Sequence, residues 1–480
     1  MVGKSKRRAR GLSITSMAAA AGMALSLALT ACGSGGSAGG AVSEPAMSVT
    51  AEASAMSVTA ETSGKILVMG SSDVAVEQPV IDAFNQAFPN IEVEYRHIPY
   101  EDTKTALRTA LTANDGPDVF ETEVGAIDSL YNQFTVDLVP LLEDTLGLDW
   151  RDKVNMGAIE PFMHDGKLSA LSSGVQGGGT IEYNADILDE LGLKYPANLA
   201  QWKQVCSAIE AAGTTCVVQG GKDGWANQDV FHSIANSIAP GKFNQAVAGE
   251  IEWTDPDLVA AFESFGLLFD ELYPSDAVAT TTYPDAMNKF LKGEAAMISM
   301  GGWDAANYNR EFLQAAIDGA GASNAAFTVL HAPFPNMKAS GAAEDINTLW
   351  DESMLYADPA NSFSINAKSK NLALAKAYVA FKTLSPAAAQ IWADKLNTVP
   401  TLKGLTVAPE VKDTLVSPDV QFEIANKLLE SMSRSADARS IANPDLVTAL
   451  TDAMSAIAAG TKSPADAAQD LQDAASQISG

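Results

Sequence analysis

The chain has 480 residues, 47% apolar and 19% charged, which is enough for two or three lobes and too apolar for a disordered chain. With 31 Lys plus Arg against 59 Asp plus Glu, the formal charge is -28, a field that repels phosphate backbones, so no nucleic-acid partner is expected. Three cysteines suit neither a disulfide-dense module nor a zinc module, and His97, His164, His232 and His331 lie far apart without HExxH or CxxC spacing. Neither a metal site nor another cofactor is expected.

Lys4, Lys6, Arg7, Arg8 and Arg10 precede an uncharged, Ala-rich stretch from Gly11 to Ala31, the pattern of an export signal over residues 1–31. Arg7 and Arg8 are followed by Ala9 and Arg10, where twin-arginine export wants a hydrophobic pair, so general secretion is favoured. Leu29, Thr30, Ala31 and Cys32 resemble a bacterial lipobox, which implies acylation of Cys32 and anchoring at the outer face of the cell membrane. The alternatives are a cut elsewhere, or a retained membrane helix for which the run of about 21 residues is barely long enough. Loss of residues 1–31 removes five positive charges and no negative ones, taking the formal charge from -28 to -33. Residues 32–64 are rich in Gly, Ser, Ala and Thr, carry AMSVTAE at 46–52 and again at 55–61, and read as a flexible tether. Gly35, Ser37 and Gly39 match a serine-hydrolase pattern there, but no strand precedes them and no helix follows.

Beyond the tether, Ile66 to Met69 reads as a strand, Val80, Ile81, Phe84 and Phe88 recur at helical spacing, and Ile91, Val93 and Tyr95 alternate with charged residues. Leu107 and Leu111 mark a second helix, and Asp118 to Phe120 a third short strand. Repeated βα units predict an α/β fold with mostly parallel sheets and ligand loops at the carboxyl ends of the strands. Helices are predicted over Trp202 to Ala212, Leu258 to Tyr273, Tyr283 to Lys292, Asn371 to Thr383 and Ala387 to Lys395, and throughout the region after Pro418. Cys206 and Cys216 form an even pair ten residues apart in an exported chain, and a disulfide between them is expected.

The segments FNQAFPNIEVEY at 84–95, ANDGPDVFE at 113–121, DGKLSAL at 165–171, IEYNADILDELGL at 181–193, FLKGEAAMISMGGW at 290–303 and FSINAKSKNLALAKAYVAF at 363–381 occur in that order. Together they resemble the extracellular solute-binding proteins of ABC importers, specifically the carbohydrate-binding group that includes maltose-binding proteins. The resemblance implies a two-lobed periplasmic-binding-protein-like fold of type II with a hinge, a sugar ligand, ABC permease subunits as partners, a monomer and no catalysis. Lobe one would comprise 65–174 and 366–405, and lobe two 175–365 and 406–480. Where the family has a GxP hinge segment, this chain has Ser172, Ser173, Gly174, Val175, Gln176, Gly177, Gly178 and Gly179, whose glycines suit a hinge that absorbs dihedral change or an ordinary surface loop.

A sugar site needs aromatic platforms for C–H faces and planar polar groups for hydroxyls. Trp303, after Gly301, Gly302 and a predicted strand at Ala295 to Met300, is the first candidate, with Asp304 beside it. Trp225 in the glycine-rich GGKDGW loop, Glu121 and Glu123 after the third strand, and Asp73 after the first strand follow, then Tyr183 and Trp350. Packing or solvation is the alternative role for each. Glu121 with Glu123 or Asp304 could serve as a glycosidase acid and base if their carboxyls lay roughly 5 to 10 Å apart. Some enzymes of this fold, thiaminases among them, use a cleft cysteine, but neither Cys206 nor Cys216 lies near Gly174. Peptides, polyamines and other small solutes are alternative cargo, cationic ones suiting the acidic balance.

Overall fold

A computed structural model describes residues 58–112, 116–274, 276–338, 340–435 and 437–479. The export segment, Cys32 and the tether up to residue 57 lie outside the described residues. Val58 is 6% exposed and packs in the first core, so the last residues assigned to the tether belong to the folded body.

The first sheet has six strands in the order β12-β6-β11-β3-β1-β2. Its strands are β1 (Gly64–Gly70), β2 (Ile91–His97), β3 (Val119–Thr122), β6 (Leu171–Gly178), β11 (Tyr356–Ile365) and β12 (Val399–Pro400). A small hairpin of β4 (Met163–His164) and β5 (Lys167–Leu168) stands beside it. The second sheet follows the order β10-β7-β9-β8, with β7 (Thr180–Asn184), β8 (Thr215–Val218), β9 (Ala295–Met300) and β10 (Val329–Pro333).

The strands predicted at 66–69, 91–95 and 118–120 are β1, β2 and β3, and the βα order makes β1 parallel to both neighbours. β8 is also parallel to β9, but the remaining pairs are antiparallel, so the expectation of mostly parallel sheets fails. β11 runs antiparallel to β3 and β6, β12 is antiparallel to β6, and β7 is antiparallel to β9 and β10. The cause is topological: β6 leads out of the first sheet and β11 returns to it after the whole second sheet has formed, so the returning strand lies against the outgoing one in the opposite sense.

The glycine segment is not a surface loop but a buried strand that carries the chain from the first sheet to the second. Gly174, Gly177 and Gly178 lie within buried β6, where an added Cβ would sit 2.3 Å from the Val399 carbonyl oxygen, 2.4 Å from the Tyr356 carbonyl oxygen and 2.3 Å from the Tyr356 hydroxyl. Only Gly179, at φ 89°, needs the left-handed backbone, and it turns the chain directly from β6 into β7.

Each sheet has its own core. Ile66, Phe84, Trp150, Phe363 and Tyr378 anchor the first; Trp202, Phe231, Trp253, Phe262, Met297 and Leu428 anchor the second. Each such side chain, fully buried, contributes roughly 1.5 to 3 kcal/mol relative to exposure. The predicted helices form at Leu199–Ala211, Pro256–Glu271, Tyr283–Leu291, Leu372–Leu384 and Pro386–Asp394, and the C-terminal region holds three, Pro418–Arg434, Pro444–Ala458 and Pro464–Ser479. Proline opens many of them because its missing N–H would be unpaired in a first turn anyway. Cys206 and Cys216 are joined by a disulfide, Cα atoms 4.9 Å apart, tying the helix at 199–211 to β8. No helix among the described residues is long and apolar enough to cross a membrane.

Candidate functional site

Between the two sheets lies a cleft of about 1040 Å³, lined from the first side by residues that include Ser71, Asp73, Tyr100, Glu121 and Glu123, and from the second by Trp225, Tyr283, Trp303, Asp304 and Arg439. Six of the eight predicted ligand-binding residues line it: Trp303, Asp304, Trp225, Glu121, Glu123 and Asp73.

Trp303 follows β9 through Gly301 and Gly302. A Cβ at Gly301 would lie 2.0 Å from the indole, so only glycine lets the ring fold against the backbone there. The Asn397 amide donates to the Trp303 carbonyl at 2.8 Å, and the indole N–H points to the Met300 sulfur at 3.2 Å. Trp225 is the second residue of the helix Gly224–Ile238. The preceding glycines are a packing requirement, since a Cβ on Gly220 would meet the Tyr283 backbone at 2.7 Å and one on Gly224 the Thr451 side chain at 2.5 Å. The Trp225 ring meets Tyr283 at 5.3 Å, Tyr100 at 6.0 Å and Trp303 at 6.1 Å, all edge-to-face, so three rings line the second side and Tyr100 meets them from the first.

The carboxylates differ in how they are held. Glu121, at the carboxyl end of β3, accepts the backbone N–H groups of Ser71 at 2.6 Å and Ser72 at 3.2 Å; burial raises its pKa and these amides oppose the rise. Glu123 accepts the Tyr100 hydroxyl at 2.5 Å and pairs with the Arg439 guanidinium. Arg439 also pairs with Asp229 at 3.2 Å, lies 3.8 Å from Asp358, and donates its backbone N–H to Asp358 at 3.1 Å. Burial works against the Arg439 charge, but Asp229 and Glu123 outweigh it and keep its pKa well above the ordinary value. Burial pushes Asp358 up to about 6, with Arg439 opposing.

Asp304 sits in the turn after Trp303, accepts the Tyr283 hydroxyl at 3.2 Å, and is pushed up to about 7 by burial, against that hydrogen bond. Behind it, Glu182 on β7 is 0% exposed. One Glu182 oxygen accepts Asn307 at 3.0 Å and the other has no partner, while burial, and then the Asp304 charge, hold its pKa well above the usual carboxylate range.

Two candidates are misplaced. Tyr183 points from β7 into the second core, 6% exposed, with its ring 4.9 Å from Tyr195. Trp350, in the helix Ile346–Glu352, packs against the outside of the same core and does not line the cleft. Tyr100, Tyr283, Asp358 and Arg439 were not singled out from the sequence. Tyr100 follows β2 as Asp73 follows β1, and the same carboxyl-end logic would have found it; no local signal marks Arg439. Among the described residues no group of His, Cys, Asp and Glu is placed to hold a metal ion.

Residues 70–389 match the family model for the bacterial extracellular solute-binding protein. Two uncharacterised ABC transporter extracellular-binding proteins of Pyrococcus horikoshii are 23% identical over 230 residues and 25% identical over 238 residues, covering 46% and 47% of this chain. The chain spans about half the length of these curated relatives, 50% and 52%. Among solved structures, maltose-bound MalE3 of T. maritima is 19% identical with a TM-score of 0.69, covering 86% of this chain and 99% of that one. The GacH receptor of Streptomyces glaucescens, solved unliganded and with acarbose, is 21% identical with a TM-score of 0.66 and coverage of 87% and 99%. A substrate-binding protein of Listeria monocytogenes in complex with cycloalternan is 17% identical with a TM-score of 0.67 and coverage of 87% and 100%. The shared element is the two-lobed fold.

Proposed function

The chain belongs to the bacterial extracellular solute-binding protein family, and on that premise we propose that it is the substrate-binding component of an ABC importer that captures a sugar or oligosaccharide in the cleft and delivers it to the membrane permease. The observation that carries this reading is the cluster of Trp225, Tyr283 and Trp303 on one side meeting Tyr100 from the other, with carboxylates on both sides of a cleft of about 1040 Å³, large enough for an oligosaccharide. The named ligands of the structural relatives, maltose, acarbose and cycloalternan, support the same class.

Trp303 and Trp225 stack on sugar rings in this reading, while Asp304, Glu121, Glu123 and Asp73 accept hydroxyls. The protein acts as a monomer without catalysis or cofactor. Acylated Cys32 holds it on the extracytoplasmic face of the membrane. Lobe one is built on the first sheet, through the end of β6 at Gly178 and again over 356–405, and lobe two takes the second sheet and the C-terminal helices; the boundaries expected at 65, 175 and 365 would leave out Gly64, cut β6 and put β11 outside its own sheet.

Tryptophan fluorescence and calorimetry during titration with sugars, amino acids and polyamines test the reading, which predicts saturable binding of at least one saccharide. Trp303→Ala is expected to weaken it by roughly 1 to 3 kcal/mol, about 5-fold to 150-fold, with native circular dichroism. Unchanged affinity would make Trp303 a packing residue. Fatty-acid labelling should mark the wild type and not Cys32→Ala; equal labelling of both would reject the anchor.

A further inference from the structure

We infer that the floor of the cleft is a hydroxyl-reading subsite made by two carboxamides, Asn361 on β11 and Gln176 on β6. The inference rests on the saccharide reading above and names the chemistry met at that floor: an unsubstituted, uncharged hydroxyl.

β6 and β11 are the strands by which the chain leaves the first sheet and returns to it, and they pair with each other. Both are buried almost throughout. In β6 the one residue not buried is Gln176, and in β11 the two are Ala357 and Asn361. Gln176 and Asn361 line the cleft, so each of these strands opens onto it at a carboxamide.

The backbone of Asn361 is an independent observation. Among the described residues Asp165, Asn361 and Leu396 are the non-glycine residues at positive φ. Asp165 lies in the turn of the β4–β5 hairpin and Leu396 follows the end of the helix Pro386–Asp394, places where a chain reverses or leaves a helix. Asn361, at φ 40°, lies inside a strand and has neither reason. The ladder is interrupted there: Ala360 faces Gly174, Ser362 faces Ser172, and the Ser172 and Ser173 hydroxyls donate to the Ala360 carbonyl. Asp358, Pro359, Ala360 and Asn361 line the cleft in succession, where a flat strand would offer alternate residues only. Glycine adopts such a backbone at less cost; what asparagine adds is its carboxamide.

That carboxamide accepts the Ser72 hydroxyl at 3.3 Å, while its nitrogen and the Gln176 side chain have no hydrogen-bond partner among the described residues. Asn307 and Asn397, also in the lining, are already engaged with Glu182 and the Trp303 carbonyl. Ionised carboxylates only accept, and Arg439 and Lys395 only donate. A hydroxyl does both, and a carboxamide can meet it whichever way its proton turns.

The test is calorimetry of the full chain with maltotriose, cellotriose and xylotriose and with their monodeoxy derivatives. Asn361→Gly, which suits the backbone and removes the carboxamide, is expected to weaken the saccharides that bind by about tenfold, while the urea midpoint holds or rises. One monodeoxy form should bind the wild type about tenfold more weakly than its parent does, and should bind Asn361→Gly and the wild type alike, because the contact is already gone. Gln176→Met, on the other strand, is expected to show the same coupling with a second hydroxyl. Parent affinities unchanged in Asn361→Gly and Gln176→Met, or losses of the same size for every deoxy form, would overturn the inference and leave the saccharide reading standing. No binding of any of these saccharides by the wild type would remove both.

Discussion

The two lobes bury acidic groups beneath the cleft in opposite ways. Under the first lobe, Glu77 and Lys382 are both 0% exposed and pair with each other, with the ammonium 4.3 Å from the Phe363 ring centre and 4.8 Å from that of Trp392. Above them, Glu121 is held by two backbone amides. Under the second lobe, burial and the Asp304 charge raise the pKa of Glu182, and no cation contributes to either group. A buried charge persists only when paired, and otherwise takes up a proton. Among the described residues, each lobe leaves one buried glutamate oxygen unpartnered, on Glu77 and on Glu182, but only Glu77 has a cation beside it.

The largest effect is expected from removing the lysine beside Glu77. Lys382→Met leaves Glu77 without its buried partner and should cost about 3 to 5 kcal/mol in urea unfolding, because breaking a buried pair strands a charge. Glu182→Gln should cost far less, since burial and the Asp304 charge hold the Glu182 carboxyl well above the usual carboxylate range and a neutral amide then replaces a group that has no counter-ion. Equal losses in the two variants would erase the contrast between the walls.

Next in size is the covalent tie, found only in the second lobe among the described residues. Replacing Cys206 and Cys216 together by serine should lower stability by about 2 to 3 kcal/mol, the loop-entropy value for a ring this short. Two free thiols in the exported protein under denaturing, non-reducing conditions would show that the bond does not form.

A third test sharpens the contrast through pH. The Asp304 carboxyl titrates at about 7 in the folded chain, against about 3.9 for an unfolded aspartate. Between those values the folded state binds the proton more tightly, so this group's contribution to stability is greatest at the acid end and falls as pH rises through the window. The unfolding free energy of the wild type minus that of Asp304→Asn should therefore decline from about pH 4 to about pH 7. A flat difference would mean that Asp304 is solvated like a surface carboxylate.

The fold was largely readable because its signals are local. Apolar spacing located the helices at 199–211 and 283–291, and alternation located β2. Strand direction was not, because it depends on β11 pairing with β6 across more than 170 intervening residues, which no window of sequence encodes. The packing role of the β6 glycines was not legible for a related reason: the Val399 and Tyr356 carbonyls that require them come from β12 and β11. In the cleft, Trp303 and Trp225 carried glycine context and were found. Tyr183 was misjudged because alternation in a short strand does not say which face the core occupies. Arg439 lies in an irregular stretch between two C-terminal helices, and its importance comes wholly from Asp229, Asp358 and Glu123 converging on it.

That convergence has a kinetic consequence. Arg439 is held within its own lobe by Asp229, whereas Asp358 on β11 and Glu123 in the loop beyond β3 both belong to the side of the first sheet. Any motion that parts the lobes must break the Glu123 contact and expose both charges to water. Dissolved ions screen such a pair most effectively once it has begun to separate, since the screening length is about 8 Å at physiological ionic strength. Ionic strength thereby acts on how long a captured solute stays, through a contact that need not touch the solute.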